Sequence, residues 1–144
     1  MKGYYNAPER TAEFVRDGWM HTGDVGRFDE DGYLFIVDRL KEMINRGGEK
    51  VFPTEIEKML ASHDAVSMVA VIATPDEKYG EEIKACIVLK DGAEVSEQDI
   101  IDWTKERVAL HKYPRRVEFF SELPVSATGK ILKKALRKRE FGDS

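Results

Sequence analysis

Cysteine is nearly absent: Cys86 is the single thiol in 144 residues. An internal disulfide framework is therefore excluded, and a reducing compartment fits. No apolar run approaches the ~20 residues of a membrane-crossing helix. The longest, Met68 to Ala73, is strand length. The opening Met-Lys-Gly-Tyr-Tyr-Asn lacks the apolar stretch of a secretory leader. These absences lead us to expect a soluble, cytoplasmic protein with no transmembrane segment. The three histidines, His21, His63 and His111, share no metal-ligand spacing with one another or with Cys86, so no metal is assigned. No Ser/His/Asp triad can be argued from residue order. A Walker A loop would need glycine five residues before Gly129, where the chain has Pro124. The acidic run Asp29-Glu30-Asp31-Gly32 lacks the further ligands and closing Glu of a calcium loop and reads as a plain turn.

Apolar and charged residues are plentiful, at 42% and 35%, which suits one domain with a real core. The net charge of −4 hides an asymmetry. Residues 129–144 hold Lys130, Lys133, Lys134, Arg137, Lys138 and Arg139 against Glu140 and Asp143, while the other 128 residues carry 17 basic and 25 acidic groups. A basic end on an acidic body points to a local anion partner. Nucleic acid is not expected, because the basic face lacks aromatic platforms.

Residues 1–24 show no sustained period and read as irregular. Val25–Phe28 and Tyr33–Val37 flank an Asp-Gly turn and predict a β-hairpin. Pro53 suits the first position of a helix carrying Ile56, Met59 and Leu60 as its apolar stripe, with Glu55 and Glu57 at the positive end of the dipole. Val66–Ala73 predicts a strand buried on both faces and stopped by Thr74-Pro75-Asp76. Ile83–Leu89 predicts a strand whose Lys84, Cys86, Val88 and Lys90 side is the wetter one. Ser96 and Asp99 form a capping-box pattern ahead of Ile100, Ile101, Trp103, Thr104 and Val108. A short strand over Val117–Phe120 and a last helix on Ile131, Leu132, Ala135 and Leu136 complete the set. The fold class expected is α+β, a small mixed or antiparallel sheet flanked by helices and preceded by a β-hairpin segment.

Taken singly, the candidate chemistry is ambiguous. Lys130, after Thr128-Gly129, can present an ammonium to phosphate or carboxylate, or be an ordinary loop lysine. Gly47-Gly48 can admit a ligand to the backbone or simply turn the chain. Arg46 beside them can meet an anion or remain solvated.

The order of the motifs is more specific. Gly18-Trp19-Met20-His21-Thr22-Gly23-Asp24, Asp38-Arg39-Leu40-Lys41-Glu42-Met43-Ile44, Gly47-Gly48 through Glu57, and Leu123-Pro124 through Thr128-Gly129-Lys130 fall in series. Together they closely resemble the adenylate-forming enzymes, which include acyl-CoA synthetases, firefly luciferase and peptide-synthetase adenylation domains. The resemblance covers essentially the whole chain. It implies that residues 1–37 are the closing segment of the large N-terminal domain, 38–41 a hinge, and 42–144 the small C-terminal domain with the catalytic lysine. The phosphate loop and acyl pocket would lie upstream, in the missing N-terminal adenylation domain.

The same resemblance implies residue roles. Lys130 is the catalytic lysine, touching the carboxylate and the α-phosphate of ATP together. Asp24 accepts from the ribose hydroxyls, and Arg39 lies near ribose and phosphate. Lys41 is the hinge, and Gly47 and Gly48 line the CoA pantetheine channel. The substrates implied are a carboxylic acid, ATP with Mg2+, and CoA, none held stably by this segment alone, which should be inactive. The lysine of Asp-Arg-Leu-Lys resembles CoA ligases, whereas Asn45 stands where firefly-type enzymes carry lysine. The expected function is thus the C-terminal part of an acyl-CoA synthetase of the fatty-acid:CoA ligase type. The alternatives are an adenylation domain serving a carrier protein, or a standalone anion-binding module.

Overall fold

The computed structural model describes residues 2–142, so Asp143 of the basic end lies outside the described residues. The chain divides into two compact units, one ending at Lys41 and the other starting at Glu42.

The first unit is not irregular up to residue 24. Helix α1 (Pro8–Phe14) starts on Pro8, and β1 (Val15–Arg16) pairs with β2 (Trp19–Met20). Asp17 and Gly18 turn that hairpin with φ of 52° and 80°, an Asp-Gly signal with too few flanking residues to show a strand period. Strands β3 (Asp24–Phe28) and β4 (Leu34–Arg39) form the expected hairpin, with a bulge at Val25/Gly26. The acidic turn serves the backbone: Asp29 Oδ1 accepts from the Asp31 and Tyr33 amides.

The second unit is a five-stranded mixed sheet of β5 (Ile44–Arg46), β6 (Glu49–Val51), β7 (Val66–Asp76), β8 (Gly80–Leu89) and β9 (Arg116–Phe119). The antiparallel pair β7–β8 runs from Val66↔Leu89 to Asp76↔Gly80 and forms its spine. Strand β9 lies parallel to β8. Against one face pack Ile56 and Leu60 of α2 (Pro53–Leu60) and Ile100 of α3 (Glu97–Lys105). Against the other packs Leu136 of α4 (Lys133–Phe141), with Leu123.

Three expectations are corrected. Strand β7 does not stop at Thr74 but runs through Pro75, which pairs with Glu81. It lies at the sheet edge, where a missing N–H leaves no partner unserved. The Lys84–Cys86 side of β8 is not wet: α4 covers it, leaving Cys86 1% exposed. That burial pushes the thiol up to about 12. Finally, α4 begins only at Lys133, because Ile131 bridges Val125 and Leu132 is its N-cap. The capping box on α3 is formed in full. No described helix is long and apolar enough to cross a membrane.

Candidate functional site

In the first unit the hairpin register sets Asp24 directly opposite Arg39. Arg39 Nε lies 2.9 Å from Asp24 Oδ1, the arginine side chain largely exposed and the aspartate mostly covered. Two nearby contacts fix their backbones: the Asp24 amide donates to Thr22 Oγ1, and the Arg39 amide to Asp38 Oδ1 at 2.7 Å. Lys41 is exposed and sits in a 3-10 turn, Leu40–Glu42.

In the second unit Gly47 and Gly48 form the two-residue turn between β5 and β6, with Arg46 paired to Glu49. Both have positive φ, 58° and 96°, the requirement of a type I′ turn. Gly47 is also pressed against Tyr79: its amide donates to the Tyr79 carbonyl, and a Cβ there would sit 2.8 Å from the ring. Gly48 has open space where its Cβ would be. Arg46 is not a solvated side chain. Its Nε donates to Glu82 Oε1 at 2.7 Å and its guanidinium stacks 3.9 Å from the Tyr79 centroid. The Glu82 hydrogen bond raises its pKa, and the half-buried Arg46 supports the glycine turn.

Lys130 ends a loop that is closed by its own hydrogen bonds. Val125 and Ile131 bridge in antiparallel sense. The Ser126 amide donates to the Lys130 carbonyl at 2.8 Å, and the Lys130 amide donates back to Ser126 Oγ at 3.1 Å. Gly129 takes the turn at φ 78°. The loop is exposed, and among the described residues the Lys130 ammonium has no polar partner.

The rest of the basic end is not a bare cationic face. Lys133 Nζ lies 2.8 Å from both Glu42 Oε2 and Glu57 Oε1, with its side chain 16% exposed. Lys84 pairs with Glu118 and Glu140, and Arg139 with Glu118. Glu57 therefore does more than favour its helix dipole: its carboxylate also takes the Val71 amide at 2.7 Å. Nothing in the local sequence signals the Lys133 cluster, since its partners stand 76 and 91 residues away. Among the described residues no group of three or more His, Cys, Asp or Glu is placed to hold a metal.

Residues 55–130 match the family described as the AMP-binding enzyme C-terminal domain. A long-chain-fatty-acid–CoA ligase, FadD13, of Mycobacterium tuberculosis is 50% identical over 139 residues, 96% of this chain and 27% of that protein. A feruloyl-CoA synthase of Amycolatopsis is 47% identical over 142 residues, 99% of this chain and 29% of that protein. Among solved structures, ATP-bound MatB from Rhodopseudomonas palustris superposes with a TM-score of 0.88 at 36% identity, over 96% of this chain and 28% of that one. The chain thus spans under a third of the length of the relatives it matches.

Proposed function

Because the chain belongs to the AMP-binding enzyme C-terminal domain family, we propose that it is the C-terminal part of a cytoplasmic, ATP-dependent acyl-CoA synthetase. The enzyme would activate a carboxylic acid, for which we put forward a fatty acid, as acyl-AMP and pass the acyl group to CoA. Ligases of ferulate, long-chain fatty acids and oxalate are 47%, 50% and 48% identical to this chain, which supports a carboxylic acid:CoA ligase. The single cysteine fits a reducing cytoplasm.

In the first half-reaction a carboxylate oxygen attacks the α-phosphorus, and the bond to pyrophosphate breaks. Both reactants are anions, so positive charge is needed where they meet. Lys130 meets that need. Its ammonium is exposed and has no polar partner among the described residues, so it gives up no internal ion pair to serve a substrate. This observation carries the proposal. Asp24, braced by Arg39, accepts from the ribose hydroxyls, as an ionised carboxylate offers acceptors alone. Mg2+ enters with the ATP substrate.

In the second half-reaction the CoA sulfur attacks the acyl carbon, the bond to AMP breaks, and the thiol proton leaves to solvent. Gly47-Gly48 leave side-chain-free backbone for pantetheine to pass. Residues 1–37 belong to the large domain in this reading, 38–41 are the hinge with Lys41 as its pivot residue, and 42–144 are the small domain. The division of the chain after Lys41 supports that assignment.

The test uses the full-length enzyme and separates the two steps across a panel of carboxylic acids. Lys130→Ala should slow acyl-adenylate formation by ~10²–10³-fold, the usual loss of one preorganised donor. Thioester formation from supplied acyl-adenylate should persist. Equal loss in both steps would reject the role of Lys130. Transfer to a phosphopantetheinyl carrier protein instead of CoA would reject the acceptor.

A further inference from the structure

Helix α4 opens on Lys133-Lys134, two cations in its first turn and no acid, with no side-chain cap at Leu132. The helix dipole favours the reverse charge there. Lys133 is nonetheless largely buried, folded back between Glu42 and Glu57. Burial pushes its pKa down, but the two carboxylates overcome this and hold it above the ordinary lysine range. Glu57 is in turn fixed by the Val71 amide of β7. The knot therefore joins the residue after Lys41, helix α2, strand β7 and the position three residues beyond Lys130.

The Lys130 loop needs such an anchor. A lysine side chain has many rotamers, and this one has no polar partner among the described residues, so its placement depends on the backbone beneath it. That backbone is tied at its stem, where the Leu132 amide donates to the Pro124 carbonyl at 2.8 Å and Ile131 bridges Val125. The next residue is Lys133. We infer that Lys133 is a positioning residue which, with Glu42 and Glu57, fastens the stem of the Lys130 loop to the residue that leaves Lys41. The lysine and the exit of the hinge then travel as one body. The inference rests on the roles given above to Lys130 and Lys41.

The test is a double-mutant comparison in the full-length enzyme, with the two half-reactions measured by single turnover. Lys133→Gln removes the charge from the knot. It should slow acyl-adenylate formation by about 10- to 100-fold, the scale of an ångström of misplacement. Thioester formation from supplied acyl-adenylate and the KM for ATP should stay within about twofold. Glu42→Gln should act in the same direction with a smaller loss, and it carries the same comparison if Lys133→Gln does not fold. The decisive arm combines each with Lys130→Ala. A residue that acts through Lys130 has nothing left to place, so the double variants should be no slower than Lys130→Ala alone. Losses that multiply, losses equal in both half-reactions, or wild-type adenylation in the single variants would overturn the inference. If Lys130→Ala itself adenylates normally, the reading of Lys130 fails and takes the inference with it. A selectively impaired Lys130→Ala beside a non-selective Lys133→Gln sinks the inference alone.

Discussion

Arg39 stands directly across the β3–β4 hairpin from Asp24, its Nε 2.9 Å from the aspartate carboxylate. The register of this two-stranded sheet orients the carboxylate before any ligand arrives. Asp24→Ala removes an acceptor for two ribose donors and also leaves Arg39 unpaired. A hydrogen bond to a charged group contributes about 1.5–3 kcal/mol, so the KM for ATP should rise by ~10-fold or more. The maximal rate should change less, the signature of lost ground-state binding. A fall in rate at unchanged KM would reject the ribose role.

Lys41 should tolerate loss of its charge better than loss of its freedom. The 3-10 turn Leu40–Glu42 has φ near −60° in the usual case, and proline fixes φ near −65°. Lys41→Pro should therefore hold one domain orientation and forbid the swing. One half-reaction should survive and the other fail, while Lys41→Ala is mild in both. Matched losses, or none, in separate assays of the two steps would reject the hinge.

The two glycines of the β5–β6 turn should respond differently to alanine. Gly47→Ala meets both the positive φ and the Tyr79 ring at 2.8 Å, whereas Gly48→Ala meets the positive φ alone. A strained φ costs of the order of 1–3 kcal/mol. Gly47→Ala should lower the melting temperature more, and Tyr79→Ala combined with it should recover part of the difference. Thioester formation should suffer more than adenylation in both glycine variants. Equal melting temperatures for the two would show that the Tyr79 contact gives way freely.

Acid should loosen the face of the sheet under α4. The hydrogen bond from Lys84 holds the Glu118 carboxyl below its ordinary range. At Glu140 burial pushes the carboxyl up, but hydrogen bonds from Lys84 and Thr74 prevail and hold it down. Groups lowered in the folded state bind fewer protons than in the unfolded chain. Their stabilisation is therefore present above the ordinary carboxyl range and lost as pH falls through the folded values. Lys84→Met strips one partner from a buried cluster and should destabilise by about 3 kcal/mol. It should also flatten the acid dependence of the melting temperature. A wild-type melting temperature that is constant between about pH 6 and about pH 3 would contradict the linkage.

What could be read along the chain is what short-range chemistry decides. Ser96 and Asp99 announce their helix because both halves of the capping box lie within one turn. The run from Val66 to Ala73 is apolar at every position but Ser67, and its side chains pack into the core on both faces of the sheet, so its double burial is visible in composition. Two of the misreadings are long-range. Pro75 looks like a stop until β7 proves to be an edge strand. Lys84 and Cys86 look like a wet face until α4 arrives from fifty residues downstream to cover them. Asp24, Arg39, Gly47, Gly48 and Lys130 were marked as candidates by their motifs. Lys133 was not, because Glu42 and Glu57 come from distant segments and a lysine after a lysine loop reads as solvated charge.

The covering of Cys86 has a practical consequence. A thiol held near 12 carries almost no thiolate at neutral pH, and thiolate is the form that alkylating reagents attack. With no other cysteine in the chain, any label that appears must come from molecules in which α4 has lifted from the sheet or the fold has opened. The rate of labelling thus counts those openings from inside the protein, without an introduced probe.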